Sequence, residues 1–113
     1  PGGKLEKNET PENCLIREIK EEIGVNLGDF CFSPLTFSLN EYDDFNILLL
    51  LYICRENVGV IMSNENQNMK WLFVKDLYDC NLLPADRELI PYIRDSVLTW
   101  LIILFISIFF IIY

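Results

Sequence analysis

The stretch PGGKLEKNETPENCLIREIKEEIGV, residues 1–25, is the part of the chain from which the rest can be interpreted. It contains a helix with a signal at each end. Thr10 supplies a hydroxyl that can accept a hydrogen bond from a free backbone N–H, and Pro11 has the φ angle that suits the first helical position. Gly24 can adopt the left-handed conformation in which helices often end. The sequence therefore predicts a helix that begins after Thr10 and ends before Gly24.

The predicted helix has an apolar face and a neighbouring acidic face. At about 100° per residue, four aliphatic side chains share one arc; they are Leu15, Ile16, Ile19 and Ile23. Glu18, Glu21 and Glu22 share the next arc. Like charges at i, i+4 destabilise a helix unless a positive group lies beside them, and Mg²⁺ is a suitable partner because it prefers oxygen ligands. The alternative is a solvated helix face of mixed charge.

The same stretch resembles the Nudix box, a pattern G-x5-E-x7-R-E-U-x-E-E-x-G-U in which U is a bulky aliphatic residue. Every fixed position of the pattern is matched; the matching residues are Gly3, Glu9, Arg17, Glu18, Ile19, Glu21, Glu22, Gly24 and Val25. A pattern with this many fixed positions is far more specific than a lone glycine motif.

The resemblance to Nudix proteins implies an α/β fold, an α/β/α sandwich with a mixed sheet, and hydrolysis of a nucleoside diphosphate linked to another group. It also implies that Mg²⁺, or Mn²⁺, is bound on the helix by three carboxylates and by a carbonyl of the glycine turn; these ligands would be Glu18, Glu21, Glu22 and Gly2. Such a cation neutralises the diphosphate and activates water, and a carboxylate can accept the proton.

Further roles follow from the same resemblance. Glu18 and Glu21 would be catalytic together with Arg17, and Glu9 would form an ion pair with Arg17 that orients the helix and the loop. Gly3 and Lys4 would contact the substrate.

Two later segments resemble the MutT-type branch of the family. Glu65 precedes Trp71 by six residues, and in that branch an acid in this loop is a further metal ligand. The piece LPADRELI, residues 83–90, resembles the segment in which an Asn or Asp reads the purine edge, which Asp86 would do here. The alternatives are an ordinary loop glutamate for Glu65 and a helix N-cap for Asp86.

This resemblance implies a pyrophosphohydrolase that converts 8-oxo-dGTP, or dGTP, to the monophosphate and pyrophosphate. Such an enzyme cleanses the nucleotide pool and so serves DNA repair and replication fidelity. Dinucleoside polyphosphates and nucleotide sugars are alternative substrates within the family. A different class of alternative is an inactive, membrane-attached remnant.

Composition narrows the choice of partner and compartment. The 113 residues correspond to one domain at most. The balance of 9 basic against 17 acidic residues argues against a nucleic-acid polymer as partner. The absence of histidine excludes Ser/His/Asp and Cys/His nucleophiles. The cysteines have no C-x-x-C spacing, which favours reduced thiols; they are Cys14, Cys31, Cys54 and Cys80. We expect a cytoplasmic monomer that binds a nucleoside triphosphate.

Beyond residue 25 the pattern predicts strands followed by a helix. Residues 30–39 alternate like a half-buried strand in which Pro34 indicates an edge or a bulge, and residues 45–54 are a nearly continuous apolar run typical of a strand buried on both faces. Residues 40–44 form the turn between them. A short strand is possible at residues 58–62, and another strand is predicted at residues 71–74.

A helix is predicted to open at residues 83–86, with Asp86 as its N-cap, and to run to about Asp95. Three apolar residues face inward in this helix; they are Leu89, Ile90 and Ile93. Pro91 interrupts the ideal pattern and indicates a kink or a late start.

The ends of the chain depart from the family pattern. Nudix domains usually have about two strands ahead of the box, so we expect residues 1–95 to be an N-terminally incomplete domain. Residues 96–113 carry no charge, and as a helix they would reach about 27 Å, just short of a hydrocarbon core of about 30 Å. A membrane anchor, a reading frame that runs past its stop and an apolar strand packed on the domain are the alternatives for this tail.

Overall fold

The computed structural model describes residues 2–29, 32–54, 59–64, 69–82, 84–96 and 107–112. These contain three α-helices, three strands and two 3₁₀ segments. In chain order they are α1 (Pro11–Ile23), a 3₁₀ turn (Leu27–Asp29), β1 (Phe32–Glu41), β2 (Asn46–Cys54), a 3₁₀ helix (Val74–Asp79), α2 (Pro84–Arg87), α3 (Ile90–Ser96) and β3 (Ser107–Ile112).

Helix α1 has the predicted boundaries. The hydroxyl of Thr10 accepts a hydrogen bond from the Asn13 N–H at 3.2 Å, which satisfies one of the free donors of the first turn. Gly24 ends the helix with φ 71°, and its N–H donates to the Lys20 carbonyl at 3.1 Å. Both caps are those predicted from the sequence, so the predicted boundaries of α1 are confirmed. Both signals depend only on the local sequence.

The three strands form one antiparallel sheet in the order β1-β2-β3. The pairing of β1 with β2 shifts between Pro34 and Thr36, so the bulge predicted from Pro34 is present. Beyond β1, the Tyr42 N–H donates to the Phe45 carbonyl at 2.9 Å and closes the predicted turn. The order places β2 in the centre of the sheet.

Strand β2 is covered on both faces, as its apolar run predicts. Alternate side chains of a strand point to opposite faces, and Tyr52 and Cys54 belong to one core cluster, while Leu49 and Leu51 belong to another. The first cluster includes the buried residues of α1, and the second includes Leu77 and the buried residues of α2 and α3. The layers are therefore helix, sheet and helix, which confirms the α/β sandwich; the strand pairings that the structure describes are antiparallel.

The predicted strand at residues 71–74 is wrong. Residues 71–73 have no regular secondary structure, and Val74 begins the 3₁₀ helix. The alternation behind the prediction is real: Leu72 packs against the second core cluster, whereas Trp71 and Phe73 are both 63% exposed. A strand also needs a neighbouring backbone with which to pair, and no described strand pairs with this segment.

The short strand considered at residues 58–62 is also not found in its described part, residues 59–62. The Met62 N–H donates to the Ile23 carbonyl at 3.2 Å, so this segment bonds to the end of α1 instead of a sheet. Val58 lies outside the described residues.

The single helix predicted after residue 83 is two helices. Helix α2 begins at Pro84, so Asp86 lies inside the helix and the N-cap prediction for it is wrong. Pro91 has no N–H to donate to the carbonyl four residues earlier, and the helical pattern stops at Arg87 and resumes at Ile90. The interruption predicted from Pro91 is thus present. The inward residues are confirmed as buried; they are Leu89, Ile90 and Ile93.

The tail contributes a strand to the sheet in the part that is described. Strand β3 pairs with β2 from Ile47↔Ile112 to Tyr52↔Ser107, which corresponds to the third alternative considered for residues 96–113. Residues 97–106 and Tyr113 lie outside the described residues. Among the described parts of the chain, none of the helices has the length and apolarity that a membrane crossing requires. A domain boundary at residue 95 stays a prediction.

Candidate active site

Arg17 joins α1 to the loop that precedes it. Its Nε and Nη2 donate to the two carboxylate oxygens of Glu9, each at 2.9 Å, a bidentate arrangement that is stronger than a single neutral hydrogen bond. These bonds lower the pKa of Glu9 to about 2, and they raise the pKa of Arg17. The ion pair predicted between Arg17 and Glu9 is present.

The same guanidinium also contacts the helix and the glycine-containing loop. Nη1 of Arg17 donates to Oε1 of Glu18 at 2.6 Å, and Nη2 donates to the Lys4 carbonyl at 3.2 Å. Oε2 of Glu21 lies 3.7 Å from Nη1. Arg17 therefore holds the loop and orients one of the predicted metal ligands, Glu18.

The glycine turn lies against two carboxylates of α1. A Cβ built on Gly3 would be 2.1 Å from the carboxyl carbon of Glu18, so the glycine leaves the space that this carboxylate occupies. The Gly2 N–H donates to Oε2 of Glu22 at 2.9 Å. The fold thus brings Glu18 and Glu22 to the turn predicted from the sequence.

Glu21 differs from the other two acids in exposure. Its side chain is 55% exposed, whereas that of Glu18 is 17% exposed. Within the described part of the chain, no group of three or more His, Cys, Asp or Glu residues is arranged to hold a metal ion. Glu65 lies outside the described residues. The metal-ligand roles predicted for the Nudix-box acids, for Gly2 and for Glu65 therefore all stay predictions.

The donors present fit a hard divalent cation. Carboxylate oxygens and a backbone carbonyl are the ligands that Mg²⁺ accepts, and the space beside Gly3 is filled by the Glu18 carboxylate instead of a side chain of residue 3. The groups at the glycine turn that would hold the cation are Glu18, Glu22 and the Gly2 carbonyl.

The two predicted substrate contacts outside the turn lie in different places. The Lys4 side chain is exposed, and the Lys4 carbonyl accepts hydrogen bonds from Arg17 and from Cys14 Sγ, the latter at 3.3 Å. Asp86 lies on α2, and α2 and α1 cover opposite faces of the sheet. A nucleotide that reaches both Glu18 and Asp86 would therefore have to extend past the sheet.

Comparison with known proteins identifies this arrangement. Residues 1–95 match the NUDIX domain, which is most of the chain. The chain belongs to the Nudix family. The resemblance on which the active-site predictions rest is therefore a family relationship, and the chain is a Nudix hydrolase.

Three bacterial relatives, each named 8-oxo-dGTP diphosphatase, are similar to this Nudix hydrolase. The protein of Escherichia coli K12 is 30% identical over 95 residues, which cover 83% of this chain and 71% of the relative. That of Haemophilus influenzae is 35% identical over 91 residues, 80% and 65% of the two chains. That of Buchnera aphidicola subsp. Schizaphis graminum is 35% identical over 97 residues, 86% and 72% of the two chains. These similarities support a MutT-type Nudix hydrolase.

Sequence reasoning missed a contact between the central strand and α1 of this Nudix hydrolase. The Tyr52 hydroxyl donates to Oε1 of Glu12 at 2.9 Å, across 40 residues of chain. Burial, together with this bond, raises the pKa of Tyr52 to about 12. A tyrosine within the aliphatic run of residues 47–54 was the available signal, because a buried tyrosine hydroxyl usually needs a partner.

The cysteines were correctly predicted to be unpaired where they are described. Cys14, Cys54 and Cys80 are free thiols, and Cys31 lies outside the described residues. Burial raises the pKa of Cys14 to about 12, which leaves its thiol protonated and unreactive at neutral pH.

Proposed function

We propose that this Nudix hydrolase is a Mg²⁺-dependent pyrophosphohydrolase that converts 8-oxo-dGTP to the nucleoside monophosphate and pyrophosphate. The observation that carries the proposal is the placement of two carboxylates at the glycine turn, Glu18 beside Gly3 and Glu22 on the Gly2 N–H. The names of the three relatives support the substrate.

Glu18, Glu22 and the Gly2 carbonyl would hold the cation, with Glu21 and Glu65 as further ligands. When bound, the cation neutralises diphosphate charge and lowers the pKa of water. Glu18 and Glu21 are the carboxylates proposed to act in catalysis, one of them as the acceptor of the water proton.

Arg17 keeps one of these carboxylates in place. It donates to Glu18 with Nη1 while Nε and Nη2 remain on Glu9. Because the Glu9 carboxylate stays ionised down to low pH, the guanidinium stays fixed at neutral pH. Arg17 therefore acts by orienting Glu18 toward the glycine turn.

The substrate contacts divide between phosphate and base. The Gly3 backbone and the exposed ammonium of Lys4 would contact the phosphates, and Asp86 would hydrogen-bond the edge of the oxidised guanine. A site built for such bonds disfavours a base that leaves them unmade. The physiological role that follows is sanitation of the nucleotide pool, in the cytoplasm and as a monomer, in support of DNA repair and replication fidelity.

Pyrophosphate release tests the proposal. The chain is incubated with Mg²⁺ and either 8-oxo-dGTP or dGTP, and pyrophosphate is measured. A dinucleoside polyphosphate and a nucleotide sugar are the competing substrate classes; for these the nucleotide products are separated and quantified, because their hydrolysis releases no pyrophosphate. Glu18→Gln and Glu21→Gln are each expected to lower kcat by about 100-fold or more. Glu88→Gln, an exposed residue in the turn between α2 and α3, is the matched control and should keep full activity.

Two results would contradict the proposal. The same background release from the wild type and from both variants would favour an inactive remnant. A clear preference for one of the competing substrates would keep the family chemistry but remove 8-oxo-dGTP as the substrate.

A further inference from the structure

A segment distant in sequence is bonded to the end of α1. We call residues 62–64 the strap. The Met62 N–H donates to the Ile23 carbonyl at 3.2 Å, and the Asn64 N–H donates to the Glu22 carbonyl at 2.8 Å. The Asn64 side-chain amide also donates to the Lys20 carbonyl, at 3.5 Å.

These bonds involve carbonyls that a helix cannot satisfy itself. The last four carbonyls of an α-helix have no partner within the helix. The N–H of Gly24 reaches only one of them, that of Lys20. The strap supplies donors to two others, those of Glu22 and Ile23, so the last turn of α1 is held from outside.

The turn held in this way carries two of the acids of the Nudix box. Glu21 and Glu22 lie in it, and Oε2 of Glu22 accepts from the Gly2 N–H. The strap therefore bonds to the backbone of the residue whose side chain meets the glycine turn. A helix end that frays would move Glu22 away from Gly2.

The Asn64 side chain also fits closely against the helix cap. A Cβ built on Gly24 would lie 3.3 Å from Nδ2 of Asn64. The left-handed glycine thus has a second role besides its φ of 71°. It leaves room for the amide that reaches the Lys20 carbonyl.

We propose that the strap positions the carboxylate-bearing turn of α1 for cation binding and that Asn64 is its principal positioning residue. This inference rests on the proposed function in one respect, namely that the Nudix box binds a divalent cation. It adds a determinant outside the box, 40 residues beyond Gly24 in the chain. Asn64 acts through the helix backbone and does not contact the cation.

The test uses variants of the full chain that differ in one donor each. Asn64→Ala removes the side-chain amide that donates to Lys20. Asn64→Pro removes this amide and also the backbone N–H that donates to Glu22, so the two variants differ from each other by the N–H alone. Ser63→Ala is the matched control within the strap: the Ser63 hydroxyl is buried and has no hydrogen-bond partner among the described residues. Its removal leaves all three strap bonds in place.

Two readouts are measured without substrate. Mn²⁺ affinity is obtained from the electron spin resonance signal of free Mn²⁺, and amide hydrogen exchange is followed in α1 without metal. Loss of one hydrogen bond corresponds to about a fivefold change in the equilibrium between the intact and the frayed last turn of α1. We expect Asn64→Pro to weaken Mn²⁺ binding at least about fivefold and to speed exchange in the last turn of α1. Asn64→Ala should have a smaller effect in the same direction, and Ser63→Ala should match the wild type.

The outcomes separate this inference from the proposed function. Faster exchange in both Asn64 variants with unchanged Mn²⁺ affinity would overturn the positioning role and leave the proposed function intact. A wild-type chain that binds no Mn²⁺ would overturn the cation site itself and the inference with it. Should Asn64→Pro fail to fold, as judged by circular dichroism, Asn64→Ala decides: wild-type Mn²⁺ affinity in this variant would then overturn the role of Asn64.

Discussion

The guanidinium of Arg17 binds both oxygens of the Glu9 carboxylate, at 2.9 Å each. This bidentate contact connects the middle of α1 to the loop that begins with the glycine turn. The position of Glu18 depends on it, because the same guanidinium donates to that carboxylate as well. The relationship has consequences for both acid stability and activity.

Replacing Glu9 by Gln should change how stability depends on pH. The pKa of Glu9 is lowered from its ordinary value of 4.5 to about 2, so the contribution of the ionised carboxylate is complete above about pH 4.5 and is lost as the pH falls toward 2. Glu9→Gln should therefore be less stable than the wild type at pH 7 and should lose less stability over that acid range. Urea unfolding at a series of pH values measures both effects.

Glu6→Gln is the control for that experiment, since Glu6 is 71% exposed and lies 4.0 Å from Arg17 Nε. If Glu9→Gln lost as much stability as the wild type between about pH 4.5 and pH 2, other carboxylates would be responsible for the acid sensitivity.

A side chain at residue 3 should displace Glu18. The Cβ of Gly3→Ala would be 2.1 Å from the Glu18 carboxyl carbon, and a displacement of about 1 Å at a catalytic group can cost about 100-fold in rate. We expect a loss of that order in kcat with the fold retained. Steady-state kinetics and circular dichroism measure the two properties.

Gly28→Ala is the matched glycine control. Its Cβ would be 3.3 Å from the side-chain oxygen of Asn26, an exposed residue that can move aside. If Gly3→Ala were as active as Gly28→Ala, close approach of the glycine turn to Glu18 would not matter for the reaction.

Removing the Tyr52 hydroxyl should destabilise the contact between β2 and α1. Tyr52→Phe loses the 2.9 Å bond to Glu12, which corresponds to about 1 kcal/mol of unfolding free energy. Because the pKa of Tyr52 is raised from 10.0 to about 12, its contribution is complete below about pH 10 and is lost as the pH rises to 12. The variant should lack that alkaline decline.

Denaturant unfolding at pH 8 and above pH 10 tests this prediction, with the exposed Tyr42 replaced by Phe as control. Equal stability of the two variants at pH 8 would contradict a stabilising role for the bond.

Asp86 is expected to influence selectivity more than turnover. If its carboxyl group contacts the oxidised base, Asp86→Ala should reduce the ratio of kcat/KM values for 8-oxo-dGTP and dGTP, by about 10-fold or more, because a hydrogen-bonding site discriminates strongly against partners that leave its groups unpaired. The measurement is competition between the two nucleotides in one reaction. A ratio that does not change would remove Asp86 from the base site.

The packing of α3 and its preceding turn against the sheet can be tested independently of activity. Leu89 is 1% exposed and lies in the cluster with Leu49 and Leu51, so Leu89→Ala should cost about 2–5 kcal/mol. Leu39→Ala removes the same atoms from a side chain that is 53% exposed and should cost much less. Similar losses in chemical denaturation would contradict the described core.

Sequence alone determined the features whose causes are local. The ends of α1 follow from Thr10, Pro11 and Gly24, because capping and left-handed φ act within one turn. The burial of β2 on two faces follows from an apolar run in which successive side chains alternate. The Nudix box could be recognised for the same reason, since its fixed positions lie within 25 consecutive residues.

Tertiary structure alone decided the features that need a partner from elsewhere in the chain. Residues 71–73 alternate like a strand but have no described strand with which to pair, and six residues of the tail pair with β2 although their composition also suited a membrane segment. The bonds of Tyr52 to Glu12 and of Asn64 to the end of α1 join residues about 40 positions apart. The periodicity of apolar residues in the sequence indicates which side chains face a core. The hydrogen-bond partners of distant residues are determined only when the elements pack together in the tertiary structure.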